Sequence, residues 1–351
     1  MSRMPDKPSP DELIRYLATP AEKRPFATYR NELLDPIPAY SVDETERLMA
    51  VACLFPGGKG VGQGGEQSSR YVASRISKLL IDLSWASSLL EGNTYTQLDT
   101  QVLIEYGKRN TDKPLDDAVM ILNHKRAIEF MLEQETVSGD AILRIQSLLA
   151  DDHDQTGESP HFLPAHLRGV IRSYTPHGLE IKGTSYIPPQ AEDRPPGFLD
   201  KEFAKLIDAV ASLPDPVNQS FYLMTRIPYL QPFYDANKRT ARIACNIPLI
   251  SHGLAPLSFV DFEKSRYMGG LIAFYELGDE SLAKQAFLEA YLSSTLRYRP
   301  FGERDRIELV RHFEDHVRDA ARYVLGGTYE GSPVWMTDIP GEEPSGSMTP
   351  G

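Results

Sequence analysis

Gln231-Pro232-Phe233-Tyr234-Asp235-Ala236-Asn237-Lys238-Arg239-Thr240-Ala241-Arg242 reads as a loop that enters a helix near Lys238. Asn237 is of the residue type that caps a helix N-terminus, which would leave the first backbone N–H groups pointing outward. Unpaired donors and the helix dipole both favour an anion at such a mouth. Arg239 and Arg242 are three apart and project from one side of that helix. Two guanidiniums beside a helix N-terminus suit a polyphosphate. Asp235 adds one carboxylate, the usual way a protein holds Mg²⁺ that substrate phosphates also bind. Small Ala236 admits a ligand close to the backbone, and Ile243, Ile247 and Ile250 face the core. The same letters also describe a capped surface helix with two solvated arginines, and spacing alone does not choose.

Working outward, the chain reads as a succession of helices. The apolar spacing predicts a short one over 43–55 and a long one over 69–91, stopped by Gly92-Asn93. Further helices are expected near 97–107, 115–134, 138–150, 199–213 and 216–226. Beyond the quoted stretch, two more are expected over 281–297 and 303–325. Residues 169–187 alternate around Thr175-Pro176-His177-Gly178, which predicts a small β-hairpin. The expected architecture is therefore all-α with one hairpin. Residues 1–40 read as an N-terminal extension that wraps the body or stays mobile, 41–300 as the helical domain, and 301–351 as a C-terminal helix and tail.

The quoted stretch resembles the signature of the Fic family, His-Pro-Phe-x-Asp/Glu-Gly-Asn-Gly/Lys-Arg-x-x-Arg. Its Asp-Ala-Asn-Lys-Arg-Thr-Ala form is similar to that of the Doc toxins of the same superfamily. The resemblance implies that Asp235 holds Mg²⁺, that the loop N–H groups with Ala236, Asn237 and Lys238 cradle ATP phosphates, and that Arg239 and Arg242 clamp the far ones. Phe233 would anchor the loop. Ser87-Ser88-Leu89-Leu90-Glu91-Gly92-Asn93 resembles the family's inhibitory motif, in which Glu91 would pair with Arg242 and exclude the γ-phosphate. Ser87 and Glu91 share one helix face. Independently of family, a carboxylate near a helix C-terminus is poorly placed and invites a compensating cation. Leu179 to Tyr186, with Ile181, Lys182, Gly183 and Thr184 at its centre, resembles the hairpin flap that aligns a target segment by strand addition. Leu122-Asn123-His124 matches a recurring family feature, with His124 structural. The matches run from about residue 70 to 250. They imply a Fic fold and transfer of AMP to a Ser, Thr or Tyr hydroxyl on another protein or on itself, with homodimerisation as a further expectation.

One departure bears on the chemistry. Gln231 stands where the family carries its general-base histidine. An amide has no useful basicity near neutral pH, and a positioned base typically contributes about 10²–10⁴-fold. The cradle, the metal ligand and the clamp are separate groups and are retained, so nucleotide binding is expected with weak or absent transfer. Two other readings follow. One is a nucleotide-sensing or partner-binding module without chemistry; the other, prompted by Ala236, is a Doc-like phosphotransferase.

Composition narrows the field. A net charge of −12 leaves no basic stripe for nucleic acid. No apolar run is long enough to span a bilayer and no secretory signal opens the chain, so a cytoplasmic protein is expected. Two distant cysteines, Cys53 and Cys245, argue against a disulfide framework. The glycine-rich run 56–65 lacks the Lys-Ser/Thr ending of a P-loop and reads as a connector. His312 and His316 are four apart but have no third ligand in sight, and Asp151-Asp152-His153-Asp154 has no loop signature. Tyr174, Tyr186 and Tyr234 are candidate self-modification acceptors by proximity.

Overall fold

The computed structural model describes residues 8–54, 66–152, 162–173, 178–327 and 333–336, with backbone alone at 66–73. The glycine-rich run 56–65, His153, Asp154 and Tyr174 lie outside the described residues. In chain order the elements are α1 (Pro10–Ala18), β1 (Ala27–Thr28), α2 (Val42–Ala52), α3 (Glu66–Leu90), α4 (Gln97–Tyr106), α5 (Leu115–Leu132) and α6 (Gly139–Leu149). There follow β2 (Tyr186–Ile187), α7 (Phe198–Ser212), α8 (Pro216–Leu230), α9 (Asn237–Ala244) and α10 (Asn246–Ser251). The chain continues through α11 (Lys264–Leu277), α12 (Ser281–Tyr298), α13 (Glu303–Arg311) and α14 (Phe313–Val324). The fold is mainly helical, as expected.

Helix starts follow local chemistry. Ser41 with Glu44 and Thr96 with Asp99 form capping boxes, and the Asp215 side chain accepts from the Asn218 N–H ahead of Pro216 at the first helical position. α8 is the spine of the molecule. Its residues are buried on every side, which only a central helix tolerates. Two of its polar members are paired within the core: Asn218 exchanges hydrogen bonds with the backbone of Tyr40, and Arg226 pairs with Glu280. α7, α9, α10 and α11 pack around it, while α3, α5 and α6 form a neighbouring layer that meets α9. The spine ends at Gln231 and α9 begins six residues later, so the quoted loop is fixed at both ends by the most buried part of the fold.

Two expectations are corrected here, and one further helix is added. No hairpin closes within the described part of 169–187; instead β2 pairs in parallel with β1, Ala27 opposite Tyr186 and Thr28 opposite Ile187. A turn at Lys182-Gly183 leads into β2, and the N-terminal segment, not a returning strand, occupies its edge. The helix expected over 303–325 is broken at His312 into α13 and α14. α11 lies in a stretch to which the sequence pattern assigned no element, and it contains the helix-weakening pair Gly269-Gly270. Those glycines serve packing: a Cβ on Gly270 would sit 2.8 Å from Ala283 Cα, and one on Gly269 3.2 Å from Leu17 Cδ1. α12 and α1 thus approach α11 closely where side chains are missing. Among the described residues no helix is long and apolar enough to cross a membrane.

Candidate functional site

The loop between α8 and α9 is held rigidly by its own side chains. Gln231 ends α8 in the left-handed conformation, φ 50°, with its N–H on the Ile227 carbonyl at 3.0 Å. Its side-chain Nε2 donates to Pro228 O at 2.7 Å and its Oε1 accepts from Asn237 Nδ2 at 2.9 Å. Asn237 then spans the loop, accepting from the Phe233 N–H at 3.0 Å and donating to Phe233 O at 2.9 Å. Phe233 is fully buried, edge-on to Phe203. The capping role expected of Asn237 is therefore corrected. Ala236 takes the cap position at φ 64°, Asn237 lies in the first turn, and its amide is already engaged by the loop. The consequence for an anion is the same, since no side chain caps the first turn of α9.

Asp235 and Arg239 meet at this mouth. Arg239 is buried and its Nη2 lies 2.7 Å from Asp235 Oδ2, while the Asp235 side chain stays about half exposed at 46%. Two residues that sequence reading missed tie the loop to the body. Gln146, fully buried, donates to the Asp235 carbonyl at 3.1 Å and accepts from the Gly169 N–H. Arg172 donates from Nε to the Gln231 carbonyl at 2.7 Å and also binds Pro189 O. Neither carries a local pattern that distinguishes it from a surface residue, because its partners are backbone groups far along the chain.

The stretch 87–93 closes the site from α3. Arg242 is completely buried, with Nε on Ser87 Oγ at 2.8 Å, Nη2 on Ser87 O at 3.1 Å, and Nη2 on Glu91 Oε1 at 2.6 Å. Lys238 Nζ stands 4.0 Å from Glu91 Oε2. Burial works to raise the Glu91 carboxyl, but Arg242, Lys238 and Arg239 outweigh it and bring it down to about 2. That answers the unfavourable placement at the C-terminal end of α3. Gly92, at φ 97°, ends the helix. The Asn93 side chain is used on the turn, accepting from the Tyr95 N–H and donating to Asp117 O, so it lies outside the cationic group.

Behind this pair lies a relay whose donors can be assigned. His124 Nδ1 is 2.8 Å from Met120 O, and a carbonyl only accepts, so Nδ1 carries the proton. Nε2 is then bare and accepts a hydrogen bond from the Ser87 hydroxyl at 2.8 Å, which leaves the Ser87 oxygen to accept from Arg242. Ser87 is thus an orienting group for the guanidinium. Burial first, opposed by the Met120 carbonyl and reinforced by Arg239 and Arg242, lowers the His124 ring to about 3 from its ordinary 6.5. The folded protein therefore keeps this imidazole neutral where the unfolded chain protonates it, so stability is full above pH 6.5 and falls as pH drops toward 3. Between pH 6.5 and 5 the wild type should lose about 2 kcal/mol more than a His124→Gln variant, at about 1.4 kcal/mol per pH unit. Urea unfolding at pH 7.5 and 5.0 measures the gap, and equal losses would refute a neutral, buried His124.

The remaining candidates distribute differently. Ile181 packs against the core, Lys182 and Gly183 form an exposed turn at φ 83° for Gly183, and Thr184 binds Glu276 Oε1 at 2.6 Å. Tyr186 is buried with its hydroxyl on Tyr229 O, which removes it as a self-modification acceptor. The Tyr234 hydroxyl accepts from the Ser173 N–H. Asp151 and Asp152 are paired with Arg126 and Arg168. No group of three potential metal ligands forms among the described residues, and His312 lies at the break between α13 and α14.

Residues 136–249, from α6 through most of α10 and including the whole loop, match the model of the Fic/DOC family. The chain is 24% identical over 236 residues to "Protein adenylyltransferase Fic" of Nematostella vectensis, covering 63% of this chain. It spans about half, 50%, of the length of that curated relative. Among solved structures, Fic-1 (aa 134–508) from C. elegans superposes with a TM-score of 0.54 at 16% identity, over 73% of this chain and 71% of that one. A Fic family protein from Desulfovibrio desulfuricans G20 gives 0.54 at 17% identity over 86% and 87%. A Fic domain containing signaling protein from Bacteroides thetaiotaomicron gives 0.51 at 17% identity over 82% and 98%. These likenesses establish the fold. Over residues 136–249 the chain matches the model of the Fic/DOC family, with a distant similarity to a protein adenylyltransferase Fic.

Proposed function

We propose that this protein binds ATP with Mg²⁺ at the mouth of α9 and belongs to the class that transfers AMP to a Ser, Thr or Tyr hydroxyl. The observation that carries the reading is the gathering of Lys238, Arg239 and Arg242 around one carboxylate from another helix, Glu91. Such a cluster fits an anion, and Glu91 stands where a far phosphate oxygen would bind Arg242. Asp235 fits the metal's needs as a half-exposed carboxylate beside that cluster. A Mg²⁺ there would take its other ligands from phosphate oxygens and water and would neutralise phosphate charge. The uncapped first turn of α9 supplies N–H groups to the phosphates. Residues 181–184 would receive the segment that bears the target hydroxyl. With Glu91 on Arg242 the site is held closed, and with an amide at Gln231 it has no base to take the hydroxyl proton. A sensor without chemistry is the second reading, favoured by one observation: both ends of the Gln231 amide are engaged within the protein.

Calorimetry with ATP and Mg²⁺ tests the binding step. Asp235→Ala and Arg239→Ala should each weaken affinity by roughly tenfold or more, the loss of a charge-assisted contact. Unchanged affinity in both variants would dismiss the socket.

A further inference from the structure

The segment that precedes the helical body is tied to the flap by a buried polar hub. Glu276, on α11, has a fully buried side chain, and both its oxygens are occupied. Oε1 accepts from the Thr184 hydroxyl at 2.6 Å and from the Ser185 N–H at 2.8 Å. Oε2 accepts from the Tyr16 hydroxyl at 2.7 Å and lies 3.0 Å from Arg24 Nε. Arg24 is buried too, donates from Nη2 to Gly183 O at 2.7 Å, and stacks its guanidinium 5.7 Å from the Tyr16 ring. Ser185 completes the set by donating to Pro25 O at 2.8 Å and accepting the Ala27 N–H at 3.3 Å, where the β1–β2 pairing begins.

Apolar packing alone secures this arm poorly. In α1 only Leu13 is fully buried, and Phe26 is 79% exposed. The arm therefore depends on the hub, and the hub depends on the arm, because Arg24 supplies the cation that compensates Glu276 in a buried site. Remove Arg24, and Thr184 and Ser185 hang from an uncompensated carboxylate.

We propose that residues 10–28 form a built-in clamp that sets the flap turn 181–185 for an incoming target segment, with Glu276 and Arg24 as positioning residues at its centre. This rests on the reading of 181–184 as the target-receiving segment, and it assigns the parallel edge of β2 to the chain's own arm. A target strand would then have to use the Lys182-Gly183 side, where the turn is exposed and a Cβ on Gly183 would meet nothing within 4 Å.

Hydrogen exchange on the full chain judges the clamp without reference to catalysis. Arg24→Ala should speed exchange of the Ala27, Ser185 and Tyr186 amides together by roughly tenfold or more, the loss of one charge-assisted contact. Exchange across 231–237 and the affinity for ATP–Mg²⁺ should stay within about twofold, since neither touches the hub. Tyr16→Phe, which removes a single hydrogen bond and keeps the ring, should give the same pattern more weakly. Unchanged flap exchange overturns the clamp, as does faster exchange in the arm alone. The target role is read in the Glu91→Gly, Gln231→His background with casein as an unfolded hydroxyl-bearing acceptor. There Arg24→Ala should slow label transfer by roughly tenfold at saturating ATP; equal transfer despite a loosened flap overturns that role. If the parent background labels nothing, the proposed reaction fails, and the clamp is decided by exchange alone.

Discussion

Histidine at position 231, combined with glycine at 91, should raise label transfer by about 10²–10⁴-fold over the Glu91→Gly protein, the contribution of a positioned general base. The geometry around Gln231 says why the gain is available. Its Nε2 donates to Pro228 O, and an imidazole at the same site can donate from Nδ1 to that carbonyl. Nε2 of the ring is then bare at the mouth of the loop, with an ordinary basicity near 6.5 that suits proton removal at neutral pH. The other parts need no rebuilding. Gln146 and Arg172 hold the loop by its backbone carbonyls, which the substitution leaves in place. Asn237 loses its contact with the Gln231 oxygen but keeps both contacts with Phe233. Glycine at 91 is required in the same protein because the Glu91 carboxylate otherwise occupies Arg242. ATP labelled at the α or the γ phosphate separates the outcomes. Label from the α position supports AMP transfer, and label from γ alone would replace it with phosphotransfer. No label in either, with ATP binding intact, would leave a sensor.

How much of this was legible beforehand depends on the range of the interaction. The helical architecture follows from apolar periodicity and from caps a few residues apart, so α2 to α9 could be placed from letters alone. The ion pair between Glu91 and Arg242 spans 151 residues, and the pairing itself was expected only from the family resemblance; the letters alone gave a carboxylate poorly placed at a helix end and a guanidinium beside a helix mouth. Gln146, Arg172, Arg24 and Glu276 had no such pattern. Their partners are backbone atoms or side chains brought together only by the tertiary fold. α11 was hidden for another reason. Two adjacent glycines weaken a helix by about 1 kcal/mol each, and only the close crossing with α12 and α1 reveals what offsets that cost. The hairpin failed because alternation identifies an extended segment but says nothing of its neighbour, and the neighbour is β1.

Glu91→Gln should destabilise the nucleotide-free protein by about 2–3 kcal/mol, below the 3–5 typical of a broken buried pair because the carboxylate is partly open to water. Arg242 is the reason for the size of the effect. Its guanidinium is completely buried, and without Glu91 its charge is balanced only by the Ser87 hydroxyl and carbonyl and by the face of Tyr267 at 6.0 Å. The glutamine keeps an acceptor for Nη2, so the loss reports charge and not shape. A ligand that brings negative charge to the same place should restore the deficit. At 100 times its dissociation constant a ligand adds about 2.7 kcal/mol. ATP–Mg²⁺ should therefore raise the melting temperature of Glu91→Gln clearly and that of the wild type only slightly, where Glu91 competes. The pH dependence has the same sign as that of His124 but lies in a lower window. The Glu91 carboxyl is lowered from 4.5 to about 2 in the folded state, so its contribution is complete above pH 4.5 and fades as pH falls toward 2. The gap in unfolding free energy between wild type and Glu91→Gln should stay constant from pH 8 to 5 and close only below that range. A gap that closes between pH 7 and 5, or a variant that ATP stabilises no more than it does the wild type, would mean that Glu91 does not hold the phosphate position on Arg242.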